Sequence, residues 1–226
     1  LRLASPADAA ALAGFDEVVL ATGVVPRQVA FPGSGHPRVV SYLDVLERRV
    51  VPGRRVAIIG AGGIGFDVAE YLVHDGPSPA LDPALWMREW GVDPEFSSSG
   101  ALVEPQPAPP ARQVWLLQRS PGRLGTRLGK TTGWIHRATL RARQVQTLGG
   151  VEYLGVDDAG LHIRLDGETR LLAVDHVVVC AGQEPHRELF DMLTAAGISP
   201  HLIGGADVAA ELDAKRAIDQ LVITFL

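Results

Sequence analysis

The sequence predicts an α/β protein in which a Rossmann-like, doubly wound domain with a β-meander is inserted into a second, incomplete α/β domain. Three observations predict it. An apolar run, Arg55-Val-Ala-Ile-Ile, enters Gly60-Ala-Gly62-Gly-Ile-Gly65, and an apolar-periodic stretch leaves it. Three short strand candidates follow at 151–156, 160–165 and 169–173, with Asp157-Asp158 and Asp166-Gly167 at the turns between them. Two apolar strands echo each other on either side, one ending at Ala21-Thr22-Gly23 and the other at Ala181-Gly182.

The elements follow in order. Residues 15–23 predict a buried strand ending in a tight turn. Pro26, Pro32, Gly33, Gly35 and Pro37 make 24–37 a linker or crossover. A short helix is expected over 41–49, with Ser41 as cap and Asp44 in its first turn. Strand 55–60 and helix 63–74 come next, and Gly76-Pro77 stops the helix. Residues 76–112 are rich in Pro, Ser and Gly and predict an insertion, with a helical stretch between Trp86 and Trp90. Strand 114–118 leads to a helix over 131–144, capped by Thr131 or Thr132. After the meander, strand 176–181 ends at Gly182. The run His201-Leu-Ile-Gly204 precedes Asp207 and a helix over about 208–220. These elements divide the chain into a flanking segment 1–38, a dinucleotide domain 39–182 and a second flanking segment 183–226.

Each glycine of the loop has a physical task. Gly60 permits the tight strand-to-helix turn, Gly62 lets backbone approach a pyrophosphate, and Gly65 lets the helix pack on its strand. Gly63 opens the helix, whose free N–H groups and partial positive charge favour phosphate. The choice between NAD and NADP falls at the tip of the second strand. Counting about 20 residues from the loop reaches Asp82, which no strand precedes. The insertion moves the second strand to 114–118, so the tip residue is Arg119. Arg119, Arg123, Arg127 and Lys130 are four cations in twelve residues with no carboxylate among them. A guanidinium binds a 2′-phosphate bidentately, so this run points to NADP(H), with Arg119 first and Arg123 and Lys130 behind it. The bland alternative is a solvated basic loop. Two readings of Asp67 stand side by side: a helix-dipole partner, or a contact near the nicotinamide ribose.

Bulk properties exclude several other chemistries. The chain has 226 residues, 46% hydrophobic and 21% charged, which suffices for a packed core. A formal charge of -5 argues against a nucleic-acid partner. No 18-residue apolar run and no signal pattern occur, so a cytoplasmic protein away from membranes is expected. The single Cys180 rules out a disulfide framework or a four-cysteine cluster within this chain, and it sits in an apolar strand as a small buried hydrophobe. The seven histidines have no metal-site spacing, so no metal is expected. Ser97-Ser98-Ser99 lacks the frame of a nucleophile elbow.

Five motifs together carry a family resemblance. They are Ile59-Gly-Ala-Gly-Gly-Ile-Gly-Phe-Asp67, Leu117-Gln-Arg119, Leu128-Gly-Lys-Thr-Thr-Gly-Trp-Ile-His-Arg137, Cys180-Ala-Gly-Gln-Glu-Pro185 and His201-Leu-Ile-Gly-Gly-Ala-Asp207. They resemble the C-terminal half of bacterial NADPH-dependent 2,4-dienoyl-CoA reductase, a barrel-fused flavoprotein, over nearly the whole chain outside the insertion. The resemblance implies hydride transfer from NADPH to FAD. It further implies electron passage through a 4Fe-4S cluster to FMN in an N-terminal barrel, where the dienoyl-CoA of unsaturated fatty-acid β-oxidation is reduced. It assigns Thr22, Gly23 and Asp207 to the flavin side, and Gly182 to the matching turn of the inserted domain. Gly60, Gly62, Gly65 and Arg119 fall on NADP positions. This sequence has no barrel, no cluster cysteines and no first G-x-G-x-x-G for FAD, and it opens on Leu1. The FAD site is therefore expected to be incomplete, with the barrel and first FAD unit upstream. FMN and the cluster belong to that half, and no catalytic residue is assigned here. Two alternatives stand beside this reading. One is a related barrel-fused oxidoreductase acting on amines or other enoates, and the other is a non-catalytic NADP(H)-binding module.

Overall fold

The computed structural model describes residues 1–210 and 214–225. The chain divides into two compact units, Gln28–Ala181 and the pair Leu1–Arg27 with Gly182–Leu226. The first piece of the outer unit holds α1 (Ala9–Leu12), β1 (Val19–Leu20) and β2 (Val24–Pro26). The inner unit begins with β3 (Val39–Ser41), α2 (Tyr42–Leu46), β4 (Arg55–Ile59), α3 (Gly63–Val73) and α4 (Pro83–Trp90). It continues with β5 (Gln113–Leu117), α5 (Gly133–Ala142) and β6 (Gln146–Leu148). The meander strands β7 (Glu152–Asp157), β8 (Gly160–Leu165) and β9 (Glu168–Leu172) come next, and β10 (His176–Val179) closes the unit. The chain then returns to the outer unit through β11 (Gln183–Pro185), α6 (Glu188–Ala195), β12 (His201–Leu202) and α7 (Ala214–Phe225).

The inner sheet is wholly parallel, in the order β3-β10-β4-β5-β6. Its central strand is apolar without interruption from Val56 to Ile59 because both faces are covered there. Val56 and Ile58 face α3 and α5 and meet Phe66, Ala69, Leu72 and Leu140. Ala57 and Ile59 join the other core, with Val156, Leu161 and Ile163 of the antiparallel meander. Helices thus cover one face and the meander covers the other. Helix α2 starts as expected: Ser41 accepts from the Leu43 N–H (3.2 Å), and Asp44 accepts from the Ser41 N–H (3.2 Å).

The boundary between the units falls at Arg27/Gln28 rather than at residue 38, because 28–38 packs on the meander. Phe31 and Tyr153 ring centroids lie 6.4 Å apart, and the Val156 N–H donates to the Pro32 carbonyl (3.0 Å). Arg38 donates to the Val174 carbonyl (2.6 Å). The outer unit has a smaller core of Val18, Leu20 and Leu193, flanked by Leu12, Leu189 and Phe190. Its β1 and β12 pair in parallel over two residues, and β2 and β11 pair antiparallel. The strand expected over 15–23 therefore forms a ladder only at Val19–Leu20.

Two further expectations change. Helix α5 begins at Gly133; Thr132 occupies the cap position without a side-chain bond, so neither threonine caps it. Within the helix expected over 208–220, residues 211–213 lie outside the described residues and α7 begins at Ala214. The insertion is ordered around α4, whose first turn is capped by Asp82 accepting from Ala84 (3.0 Å) and Leu85 (3.1 Å). Among the described residues no helix is long and apolar enough to cross a membrane.

Candidate functional site

The glycine loop lies at the carboxyl end of β4, where open α/β sheets bind their ligands. Gly60 has φ +111°, and its N–H donates to the Leu117 carbonyl (2.9 Å). A Cβ added there would stand 2.5 Å from the Cys180 carbonyl oxygen. A Cβ added at Gly65 would overlap the Gly60 carbonyl oxygen, so the helix approaches its strand as closely as backbone allows. The fold therefore needs glycine at 60 and 65. Gly62 and Gly63 differ: a Cβ at either meets nothing within 4 Å. Backbone at these two positions is bare on its open side, which is what close approach of a pyrophosphate requires. No side chain caps Gly62, so the first-turn amides of α3 keep their donors for a ligand. Asp67 is an exposed residue of α3, four positions beyond its first residue and outside its first turn, which weakens the helix-dipole reading.

Strand β5 runs beside β4 with Leu117 opposite Ile59, so Arg119 emerges at the same sheet end as Gly60. The backbone under Arg119 is held from three directions. The Gln118 N–H donates to Leu148 (3.0 Å), the Gln118 side-chain amide donates to Ser120 (2.9 Å), and the Gly150 N–H donates to Ser120 (3.0 Å). Burial pushes the Tyr153 phenol above its usual range, and the positive charge of Arg119 opposes that rise. Arg119, Arg123, Arg127 and Lys130 are all exposed and form no ion pair with any described residue. Their setting is one-sided. From Pro105 to Val151 the sequence holds eight cations and no carboxylate, leaving 13 cations against 26 acids elsewhere. The loop also packs inward: Leu124 is buried, and Gly125 lies against Phe66 of α3, where a Cβ would come within 2.7 Å of the ring.

The outer unit gathers the other expected residues by itself. Gly23 has φ +76°, and its carbonyl accepts from the His186 N–H (3.0 Å). The Thr22 hydroxyl donates to the His186 carbonyl (2.6 Å). A Cβ on Gly205 would stand 3.3 Å from the Gly23 Cα, so the Thr22-Gly23 turn and the turn before Asp207 abut. The Asp207 carboxylate accepts from Gln220 of α7 (2.8 Å). The Gly182 carbonyl accepts from the Arg27 N–H (3.1 Å).

Cys180 is buried, and burial pushes its thiol up to about 12, far from a reactive thiolate. Among the described residues no group of three or more His, Cys, Asp or Glu side chains is placed to hold a metal. Sequence reasoning missed the contacts that fix the backbone on either side of Arg119. Two of them, from the Gln118 N–H to Leu148 and from the Gly150 N–H to Ser120, tie β5 to β6 and the turn after it, which no local pattern announces.

A parallel sheet with a glycine loop at its carboxyl end, backed by a meander and interrupting a second unit, is the architecture of a dinucleotide-binding domain. The chain belongs to the pyridine nucleotide-disulphide oxidoreductase family, whose model matches residues 5–213. It is thus a flavoprotein oxidoreductase domain of a family that binds FAD and NAD(P). It is 25% identical over 192 residues to a metal reductase of Desulforamulus reducens, covering 85% of this chain and 28% of that one. It is 27% identical over 211 residues to a probable ferredoxin reductase of Castellaniella defragrans, covering 90% of this chain and 41% of that one. A solved 2-naphthoyl-CoA reductase superposes with a TM-score of 0.70 at 19% identity, covering 95% of this chain and 27% of that one. The chain therefore spans well under half the length of these proteins.

Proposed function

We propose that the inner unit binds NADP(H) and that the chain is the dinucleotide-binding part of an NADPH-dependent reductase. In this reading the reductase resembles 2,4-dienoyl-CoA reductase and serves unsaturated fatty-acid β-oxidation in the cytoplasm. The observation that carries the cofactor reading is the pairing of bare backbone at Gly62-Gly63 with the unneutralised Arg119 on the next strand. Gly60 and Gly65 set the turn, and the first amides of α3 hold the pyrophosphate. Arg119 takes the 2′-phosphate, with Arg123 and Lys130 adding positive potential. The bonds at Gln118 and Ser120 fix the backbone on either side of Arg119. Thr22, Gly23 and Asp207 supply the outer unit's share of the FAD site, and Gly182 is the turn that matches theirs at the end of the inserted domain. When bound, NADPH supplies a hydride and FAD accepts it. The chain's own contribution is orientation, phosphate binding and exclusion of wrong cofactors. The motif run Leu128–Arg137 and the CoA-ester reductase among its structural relatives support the dienoyl-CoA assignment. The barrel, its FMN, the 4Fe-4S cluster and the first FAD unit belong, on this proposal, to polypeptide upstream.

Calorimetric titration with NADPH and NADH tests the cofactor reading. NADPH is expected to bind much more tightly. Arg119→Ala should cost NADPH about 1–3 kcal/mol, the scale of a charged hydrogen-bond partner, and leave NADH nearly unchanged. Equal losses for both cofactors would return Arg119 to the role of a solvated basic side chain.

A further inference from the structure

The insertion encloses space that the dinucleotide reading does not use. Helix α4 is tied to the far end of α5 by Arg143, a nearly buried side chain at 6% exposure that donates to Glu89 (2.6 Å) and to the Ala108 carbonyl (2.7 Å). Its own C-terminus is closed at Gly91, and the turn beyond it is held by Asp93. That carboxylate accepts from the Ser97 hydroxyl (2.8 Å) and from the hydroxyl and N–H of Ser98 (both 2.9 Å). The helix is therefore fixed in place, and between it and α3 lies a hollow of about 870 Å³, open to solvent. That volume is on the scale of pockets that take small organic molecules.

Three aromatic rings stand in its walls, and its carboxylates outnumber its guanidiniums by four to three. Trp86 and Trp90 line it from α4, Tyr71 and Asp67 from α3, and Ile135 and Thr139 from α5. The Trp86 and Trp90 ring centroids are 6.2 Å apart, and Trp90 is braced edge-on by Trp134 at 6.4 Å. Three guanidiniums also reach the lining. Arg143 is paired with Glu89, Arg112 keeps its charge while donating to the Pro52 (3.3 Å) and Leu72 (3.1 Å) carbonyls, and Arg48 is the third. Against these stand four carboxylates: Glu89, Glu70 beside His136 (2.8 Å), Asp75 bonded to the Gly76 N–H (2.9 Å), and Asp67 with no partner among the described residues. Aromatic faces attract a cation through their quadrupole, and an unpaired carboxylate adds a full charge. From this combination we infer that the hollow between α3 and α4 is a binding site for a small organic cation carrying an alkylammonium group.

The three tryptophans report on the site directly. The test is a fluorescence titration of the protein with benzyltrimethylammonium, run beside neutral neopentyl alcohol and anionic benzoate. The ammonium is expected to change the emission saturably, with at least tenfold weaker binding of the neutral and anionic probes. Asp67→Asn should weaken the ammonium about tenfold, and Trp86→Ala should abolish saturation. Both substitutions are of exposed side chains, and circular dichroism confirms that each variant folds. Equal binding of the three probes, or no saturable change with any, overturns the proposal. So does an Asp67→Asn variant that loses NADPH affinity and keeps the ammonium, since Asp67 would then belong to the dinucleotide site.

Discussion

The inner and outer units solve the problem of burial differently. In the inner unit four successive residues, Val56 to Ile59, are each 2% exposed or less because helices cover one side and the meander the other. In the outer unit the corresponding parallel pair is two residues long, and among the described residues Leu193 is its one fully buried large side chain. A glycine loop with tolerances of tenths of an ångström needs the first kind of platform. The turns of the outer unit, such as Thr22-Gly23 with its two hydrogen bonds to His186, rest on the second kind.

The largest expected effect sharpens this contrast inside the loop itself. Gly65→Ala should destabilise the protein by about 3 kcal/mol or more, because overpacking here pushes backbone against backbone. Gly62→Ala should shift stability by less than about 1 kcal/mol, since its Cβ enters open space, while NADPH affinity falls sharply. Urea denaturation beside cofactor titration separates the two; similar stability losses would mean that Gly62 also serves the fold. Next in size is Leu193→Ala. The outer core is small and able to collapse on the gap, so roughly 2–3 kcal/mol is expected, at the low end for such truncations. Hydrogen exchange provides the companion measurement: amides of β4 and β5 should exchange far more slowly than those of β1 and β12. Equal protection would erase the distinction between the units. The Arg119→Ala difference between NADPH and NADH ranks third.

The smallest effect concerns the insertion. Hydrogen bonds from the Ser97 and Ser98 hydroxyls, outweighing desolvation, hold the Asp93 carboxyl at about 2. A depressed pKa contributes stability that is complete above the ordinary Asp value of roughly 4 and is lost as pH falls toward the folded value. Tryptophan emission from Trp86 and Trp90 should therefore change between about pH 4 and pH 2, in the window set by those two values. Ser97→Ala should move that change to higher pH. A transition that ignores the substitution would assign it to other carboxylates.

The parts of the fold that were legible in the sequence have a local cause. Strand 55–60 and helix 63–74 came from one apolar run and one 3.6-residue period, and they appear as Arg55–Ile59 and Gly63–Val73. The meander was marked by its Asp and Gly turns. Short pieces such as β3 and β6, three residues each, have no period to detect and exist only because their neighbours offer a sheet edge. The helix expected to run to 49 stops at Leu46, and Arg48 takes φ +59° as the chain turns toward β4. The same logic divides the site. The glycines and Arg119 are visible as a motif and its strand tip, whereas two of the three bonds that fix the backbone around Arg119 involve Leu148 and Gly150, about 30 positions away.

The charge segregation also has a kinetic side. The carboxylate-free stretch from Pro105 to Val151 places its exposed cations within an otherwise acidic chain, so the field they cast has a direction. A polyphosphate arriving by diffusion is drawn toward that stretch and turned away from the remainder. Added salt shortens the reach of this field to a Debye length of about 8 Å at physiological strength. Capture of the dinucleotide should therefore slow as ionic strength rises, while its escape, governed by the close contacts at the loop, barely changes.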